Sequence, residues 1–348
     1  MSSLTEVAYV SRRVVKYGGL GLGVFLFFWW GLTSAVKAYQ KAHPAYVAPT
    51  TYFGVLTKIV FPEKTFTKKT FTTELANDTL PSFGDQAKVY VIYRSKSVLG
   101  ALEENKKTAA LLGFTSEPME VSTGIYQFND PISNKTLTMN VLENSFKLSY
   151  PYLSDQLLQN PDEMPSKEGA VTLAKSFLSQ GNLLSDDLSN GEQKVSFWKI
   201  NYNGLQSVNS LSEANIIRVD FFRKNLDNNI SVVSSEVGKA SVSVLVSGSS
   251  VSAKKIVEVN FKHISIDTSA ASSSTYPIIS TKEAITSLQN GNYWPANDTT
   301  ATSVVIRKIY LAYFEPVDLT QYLKPVYVFE GDGGFVAYVR AITDKYSN

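Results

Sequence analysis

The chain is predicted to be α+β, with an N-terminal single transmembrane helix followed by tandem helix-plus-antiparallel-sheet domains. Three observations carry this. Residues 17–36 form a 20-residue run without charge between Lys16 and Lys37, and as a helix that run rises about 30 Å, the thickness of a bilayer's hydrocarbon core. Beyond Lys37 the text becomes polar and rich in Ser, Thr and Asn, with short segments in which β-branched and aromatic residues alternate with polar ones, as in strands with one buried face. Helical patterns recur three times, each followed by several strand patterns, and this order separates α+β from a parallel α/β sheet.

The anchor comes first. An uninterrupted helix satisfies its own backbone groups in lipid. Trp29, Trp30 and Tyr39 suit one interface and Tyr17 the other. Arg12, Arg13 and Lys16 precede the span and Lys37 and Lys41 follow it, so residues 1–16 read as a cytoplasmic tail. The competing reading is a secretory leader cleaved near Val36-Lys37-Ala38. Leader cores run only about 7–15 residues, and this run fills a bilayer. Gly19 and Gly23 make a GxxxG spacing that allows close helix approach and hence a homodimer.

Residues 37–62, with Pro44, Pro49 and Pro62 and no clear period, read as an extended linker whose aromatic end docks on the first domain. Domain 1 is expected at 63–160. It opens with strand patterns in TFTKKTFTTEL and AKVYVIYR, continues with a helix through Leu102, Ala109 and Leu112 capped at Gly113, and ends with three strands in GIYQFND, KTLTMNVL and SFKLSY. Domain 2 is expected at 161–348. Ser166 starts a helix through Val171, Ala174 and Leu178, and four strands of a meandering sheet follow in KVSFWKINYN, NIIRVDFFRK, KASVSVLVSG and KKIVEVNFKHISI. Ser280 and Glu283 then form a capping box for a third helix ending near Gly291, and Gly331-Asp332-Gly333-Gly334 supplies the turn of a hairpin.

Composition narrows the function classes. Net charge is +2 with the signs interspersed, so no basic stripe serves nucleic acid. There is no cysteine, which removes disulfides, thiolate nucleophiles and Cys-based zinc sites. The two histidines, His43 and His263, read as structural. A Ser/Lys hydrolase would draw on Ser252, Lys254 and Lys255, and a glycoside-cleaving pair on Glu258, Asp267, Glu315, Glu330 or Asp332. Strand faces and turns explain these residues better. Asn77, Asn134, Asn229 and Asn297 begin N-x-Ser/Thr triplets and read as exposed loops. No cofactor motif is present. Near the C-terminus Tyr310, Tyr313, Tyr322, Tyr327 and Tyr338 are dense enough to build a binding surface, or equally a core.

The unit at about 278–348, with STKEAI, VVIRKIYLAYFEP and YLKPVYVFEGDGGFVAYVRAI, resembles the last module of YycI/YycH-type regulators and PepSY-like domains. The resemblance implies a single-pass bacterial envelope protein whose exported modules restrain another protein by contact, and it transfers no catalytic residues. The expected function is therefore a non-enzymatic, membrane-anchored, extracytoplasmic protein-binding or regulatory module, with the lipid bilayer and an envelope protein as partners. The alternative is a cell-wall or glycan-binding module in which Trp198 and Trp294 stack on sugars.

Overall fold

Helix α1 (Leu4–Ala42) contains the apolar run and extends beyond it at both ends. Nothing in its flanks breaks a helix, so the tail and the first linker residues continue it instead of taking the extended form expected from residue 37. The computed structural model describes residues 4–42, 47–92, 98–161, 163–227, 229–264, 266–316 and 320–348, and His43 lies outside them. Residues 1–48 and 49–348 are separate compact units.

The second unit is built on two sheets. Along the chain come β1 (Thr70–Thr73), β2 (Gln86–Val91), α2 (Val98–Leu111), β3 (Met119–Ser122), β4 (Ile125–Asp130), β5 (Lys135–Asn140), β6 (Ser145–Ser149), α3 (Gln156–Gln159), α4 (Lys167–Gln180) and α5 (Asp186–Ser189). Then follow β7 (Gln193–Asn201), β8 (Gly204–Val208), β9 (Ile216–Phe221), β10 (Ser231–Val233), β11 (Val242–Ser247), β12 (Ile256–Lys262), β13 (Ser273–Pro277), α6 (Thr281–Gln289), β14 (Trp294–Asn297), β15 (Ser303–Phe314), β16 (Tyr322–Gly331) and β17 (Val336–Arg340).

Local signals set the helix ends where the sequence placed them. The Ser166 hydroxyl accepts from the Gly169 amide at 3.0 Å at the start of α4. Ser280 and Glu283 form both bonds of the capping box at α6. Gly113 takes φ +94° after α2, and Gly333 and Gly334 take φ +67° and +73° in the β16–β17 turn, a region that costs a glycine little.

Strand pairing departs from the expected domain division. The larger sheet runs β3-β4-β5-β6-β12-β11-β9-β7-β8, so strands on both sides of residue 160 share it. The join is β6 on β12, with Phe146 opposite Phe261 and Leu148 opposite Val259, and the two phenyl rings stack at 5.0 Å. Conversely, β1 pairs in parallel with β15, and β2 pairs with β13 and β16. The opening strands of the expected first domain thus belong to the C-terminal sheet. The reason is edge satisfaction: a strand with unpaired amides on a buried side must find a partner, and alternation does not say which one.

Each sheet has two apolar faces. On the larger, Ile217, Val219, Phe221, Val244 and Val259 pack beneath α4, which contributes Ala170, Ala174 and Leu178. Ile216, Leu245 and Val257 face the other way, toward Leu158 of α3. On the C-terminal sheet Ile309, Leu311, Tyr327, Phe329 and Val339 cover Ala284 and Leu288 of α6, and Ala312, Phe314, Val326, Val328 and Tyr338 form the opposite face.

That opposite face is closed by the strap, residues 49–62 of the linker. Leu56 and Ile59 are buried, and the Leu56 amide donates to the Tyr346 carbonyl at 2.9 Å while the Asn348 amide donates back to the Leu56 carbonyl at 2.9 Å. Phe61 stacks on Trp294 with centroids 5.3 Å apart, and Phe53 stacks on Tyr322 at 4.9 Å. The expected docking of residues 49–62 on the first domain is therefore corrected. The aromatic rings are seated on the C-terminal sheet, where one face of β16 and β17 supplies apolar partners and the C-terminal segment supplies backbone hydrogen bonds.

Candidate functional site

The anchor presents its apolar surface without cover. Tyr9–Tyr39 has mean hydropathy 1.6 and none of its most apolar window is buried. Tyr17, Trp29 and Trp30 are all exposed, and a Cβ added at Gly19 or Gly23 meets nothing within 4 Å. This is one helix long and apolar enough to cross a membrane.

The five tyrosines do not form one surface. Tyr313, Tyr327 and Tyr338 are at most 2 % exposed and fall in three different core clusters. Register explains the division: Tyr310 and Tyr338 both lie opposite Val328, whereas Tyr327 pairs with Leu311 and Val339 on the other side. Tyr310 and Tyr322 are half-buried. The Tyr310 hydroxyl donates to Glu330 at 2.7 Å, Tyr313 to Asp227 at 2.6 Å, Tyr327 to the Ile279 carbonyl at 2.6 Å and Tyr338 to the Ser234 carbonyl at 3.0 Å. Sheets use such residues as core with a polar tip, and here that use displaces the expected binding surface.

The glycan reading needed Trp198 and Trp294 exposed together. Trp294 is buried, with its indole N–H on the Pro62 carbonyl at 2.8 Å. Trp198 is half-buried on the other sheet, bonded to Ser196 at 2.8 Å. They share no stacking platform.

Several of the residues with catalytic potential have structural partners. Ser252 and Lys254 lie in a short 3-10 turn rather than at a strand start, and Lys254 holds Asp155, the N-cap of α3, at 2.6 Å. Glu258 accepts from Asn260, Asp267 from Ser272, and Asp332 from Arg307. The four sequon asparagines are exposed as expected.

His263 is the centre of an arrangement the sequence did not disclose. It is 4 % exposed. Its Nε2 lies 3.1 Å from the Ser185 hydroxyl and 3.2 Å from Asp187 Oδ1, and its Nδ1 lies 3.3 Å from Arg223 Nη2. Arg223 also bonds Asp187 and the Ile264 carbonyl, and reaches Glu315 at 3.2 Å.

Guanidinium can only donate, so Nδ1 is the acceptor and the imidazole proton sits on Nε2, toward Asp187. An Nε2 that already carries a proton cannot take one from Ser185. Ser185, His263 and Asp187 are thus a Ser/His/Asp set without triad geometry, which needs serine and aspartate on opposite ring nitrogens. Burial pushes the Asp187 carboxyl upward, but hydrogen bonding from His263 and the field of Arg223 outweigh it and hold the group well below the usual carboxylate range. What the cluster does is join the sheets: Asp187 and His263 flank the larger one, and Glu315 follows β15 of the other. Arg223 follows a strand in VDFFRK, and Asp187 sits in the polar text SDDLSNGE that holds the four-residue helix α5. Neither context distinguishes them from solvated charges.

A second cluster collects cations around the strap. Lys324 is 3 % exposed, and its Nζ donates to the Thr57 carbonyl at 2.6 Å. Arg340 donates to the Ile59 carbonyl from Nε at 3.1 Å and Nη2 at 2.9 Å. Burial, then the neighbouring Arg340, push Lys324 down to about 8. Among the described residues no group of three His, Cys, Asp or Glu side chains is placed to hold a metal ion.

No family model matches the chain, and no curated protein matches its sequence. Among solved structures it is similar to an uncharacterized protein from Eubacterium rectale, at 13 % identity over 76 % of this chain and 84 % of that one with a TM-score of 0.39. It is also similar to the C-terminal domain of Bacillus megaterium YpeB, at 14 % identity over 72 % of this chain and 95 % of that one with a TM-score of 0.31. Likeness at this level extends to no shared activity or partner.

Proposed function

We propose that the chain is a non-enzymatic, membrane-anchored module of the bacterial envelope, with α1 in the plasma membrane, its N-terminus cytoplasmic, and the two-sheet body outside binding or regulating another envelope protein. The observation that carries this reading is the uncovered apolar surface of Tyr9–Tyr39, which water disfavours and lipid accommodates. The body supports it, because His263, Asp187 and Glu315 are engaged in joining the sheets and Lys254 in holding the N-cap of α3. Gly19 and Gly23 leave one face of the anchor open for a second copy of the same helix.

The test is in cells. Protease added to intact cells should digest the body while a tag fused before Met1 survives, and crosslinkers confined to the outer side should join the body to a protein. Digestion only after lysis would overturn the orientation. A body that captures no protein but binds purified cell-wall glycan would overturn the binding role in favour of the glycan reading.

A further inference from the structure

Beside the strap lies a cavity of about 580 Å³ lined by Lys58, Phe61, Asn292, Trp294, Tyr338, Arg340 and Asp344 among others, within the range of about 300–1,000 Å³ usual for ligand sites. Its walls come from the strap, the end of α6, β14, β17 and the C-terminal segment. Its lining carries two cations, Lys58 and Arg340, against one carboxylate, Asp344, and Lys64 and Lys324 lie beside the strap outside that lining. Four cations, Lys58, Lys64, Lys324 and Arg340, surround the strap, and among the described residues none forms an ion pair with a carboxylate.

Three of the four spend hydrogen bonds on backbone carbonyls: Lys64 on Pro295 and Ala296 at 3.0 and 3.1 Å, Lys324 on Thr57, and Arg340 on Ile59. Lys58 is exposed at the cavity wall. Asp344 is the carboxylate among the lining residues and attracts Arg340 from beyond ion-pair distance. Elsewhere in the body Arg307 pairs with Glu74 and Asp332, and Lys254 with Asp155. A surface with surplus positive charge attracts an anion of matching shape and leaves the binding sensitive to salt.

We propose that this cavity is the docking site for an acidic peptide segment of the partner protein, its carboxylates meeting Lys58 and Arg340 and an apolar side chain lying against Phe61. The proposal rests on the protein-binding role inferred above and names the chemistry of the partner. Peptide fits better than a purely ionic ligand because the cavity mixes cations with aromatic walls, and Phe61 is only half-buried against Trp294. The guanidinium of Arg340 lies 5.3 Å from the Phe61 ring centroid, so a bound carboxylate would have a cation and an aromatic edge within reach of one another. Since Lys58, Ile59 and Phe61 belong to the strap, an occupant bridging strap and sheet would also hold the strap in its seat.

The test uses the full chain in detergent micelles with a fluorescein-labelled peptide of alternating glutamate and phenylalanine, read by anisotropy. The glutamate peptide should bind, its glutamine counterpart at least tenfold more weakly. Lys58→Glu should weaken binding at least tenfold, and Lys107→Glu, on α2 of the other sheet, should leave it unchanged. Raising the salt concentration should weaken it progressively. Equal binding of the glutamine peptide, or unchanged affinity in Lys58→Glu, overturns the site, and so does polyphosphate of equal charge binding tenfold tighter than the peptide.

A photo-crosslinking residue placed in cells at Val60 or at Tyr202, which is 97 % exposed on the other sheet, separates this proposal from the reading it rests on. A protein captured at Tyr202 but never at Val60 removes this site and leaves the binding role intact. Capture at neither position removes both.

Discussion

Lys324 offers a measurable consequence of seating the strap on a cation. Its amine is buried with the Thr57 carbonyl at 2.6 Å and the Thr57 hydroxyl at 3.4 Å. Burial and Arg340 lower it from 10.5 to about 8. The folded chain therefore sheds this proton before the unfolded chain does. Between about pH 8 and 10.5 the unfolded state binds more protons, so stability rises with pH there. A shift of two to three units at about 1.4 kcal/mol each amounts to roughly 3 kcal/mol in all, of which about 2 kcal/mol is gained between pH 8 and 10.

Above pH 10 the tyrosines act in the opposite sense. Burial, with help from Asp227 or Glu330, raises Tyr90, Tyr310, Tyr313 and Tyr338. The unfolded state then loses protons that the fold retains, and stability falls. Lys135 is also lowered by burial and adds a slope of the same sign as Lys324, so the informative quantity is the difference between wild type and Lys324→Met. Methionine keeps the stem and removes the charge, at a cost of about 1–3 kcal/mol for leaving the Thr57 carbonyl without its donor. Urea unfolding of the full chain in micelles, followed by near-UV circular dichroism, should show a rise from pH 8 to 10 that is about 2 kcal/mol smaller in the variant. Equal slopes in the two proteins would refute the burial of an unpaired ammonium beneath the strap.

Other predictions follow from the clusters and caps. Asp187→Asn should destabilise the body by about 3 kcal/mol at pH 7 in the same urea assay, because it breaks a partly buried ion pair and leaves Arg223 with Glu315 alone. Asp187 is held below its ordinary value, so its contribution is present above about pH 4 and fades as pH falls. The variant should accordingly show a shallower loss of stability in acid. Ser280→Ala removes the capping hydroxyl of α6 and should cost about 1 kcal/mol, whereas Ser280→Thr should cost much less. Replacing Gly19 and Gly23 with leucine should abolish crosslinked dimers in membranes while leaving the urea midpoint of the body unchanged; dimers surviving the double change would place any contact elsewhere.

Much of the local structure is legible in the sequence. Ser166, Ser280 and Glu283 announced helix starts, Gly113 and the Gly331–Gly334 turn announced ends and reversals, and VVIRKIYLAYF announced a long strand. Each of these features depends on residues within a few positions of one another. The candidate site was far less legible. Alternation placed the C-terminal tyrosines on strands, but either face of β16 could have met water, and it was α6 on one side and the strap on the other that buried both. His263 read as an ordinary structural histidine because its partners lie 76 and 40 residues away.

By itself the sequence determined a lipid-length helix, the identity of most strands and helices, and an α+β class, since hydrophobic period and backbone preference act over short stretches. Tertiary structure alone decided that residues 145–149 pair with 256–262, that the opening strands join the C-terminal sheet, and that Leu56 lies beside Ser347. Those choices rest on competition among edges with similar apolar patterns, settled by the total surface and hydrogen bonding each pairing satisfies, a sum over the whole molecule that no single segment contains.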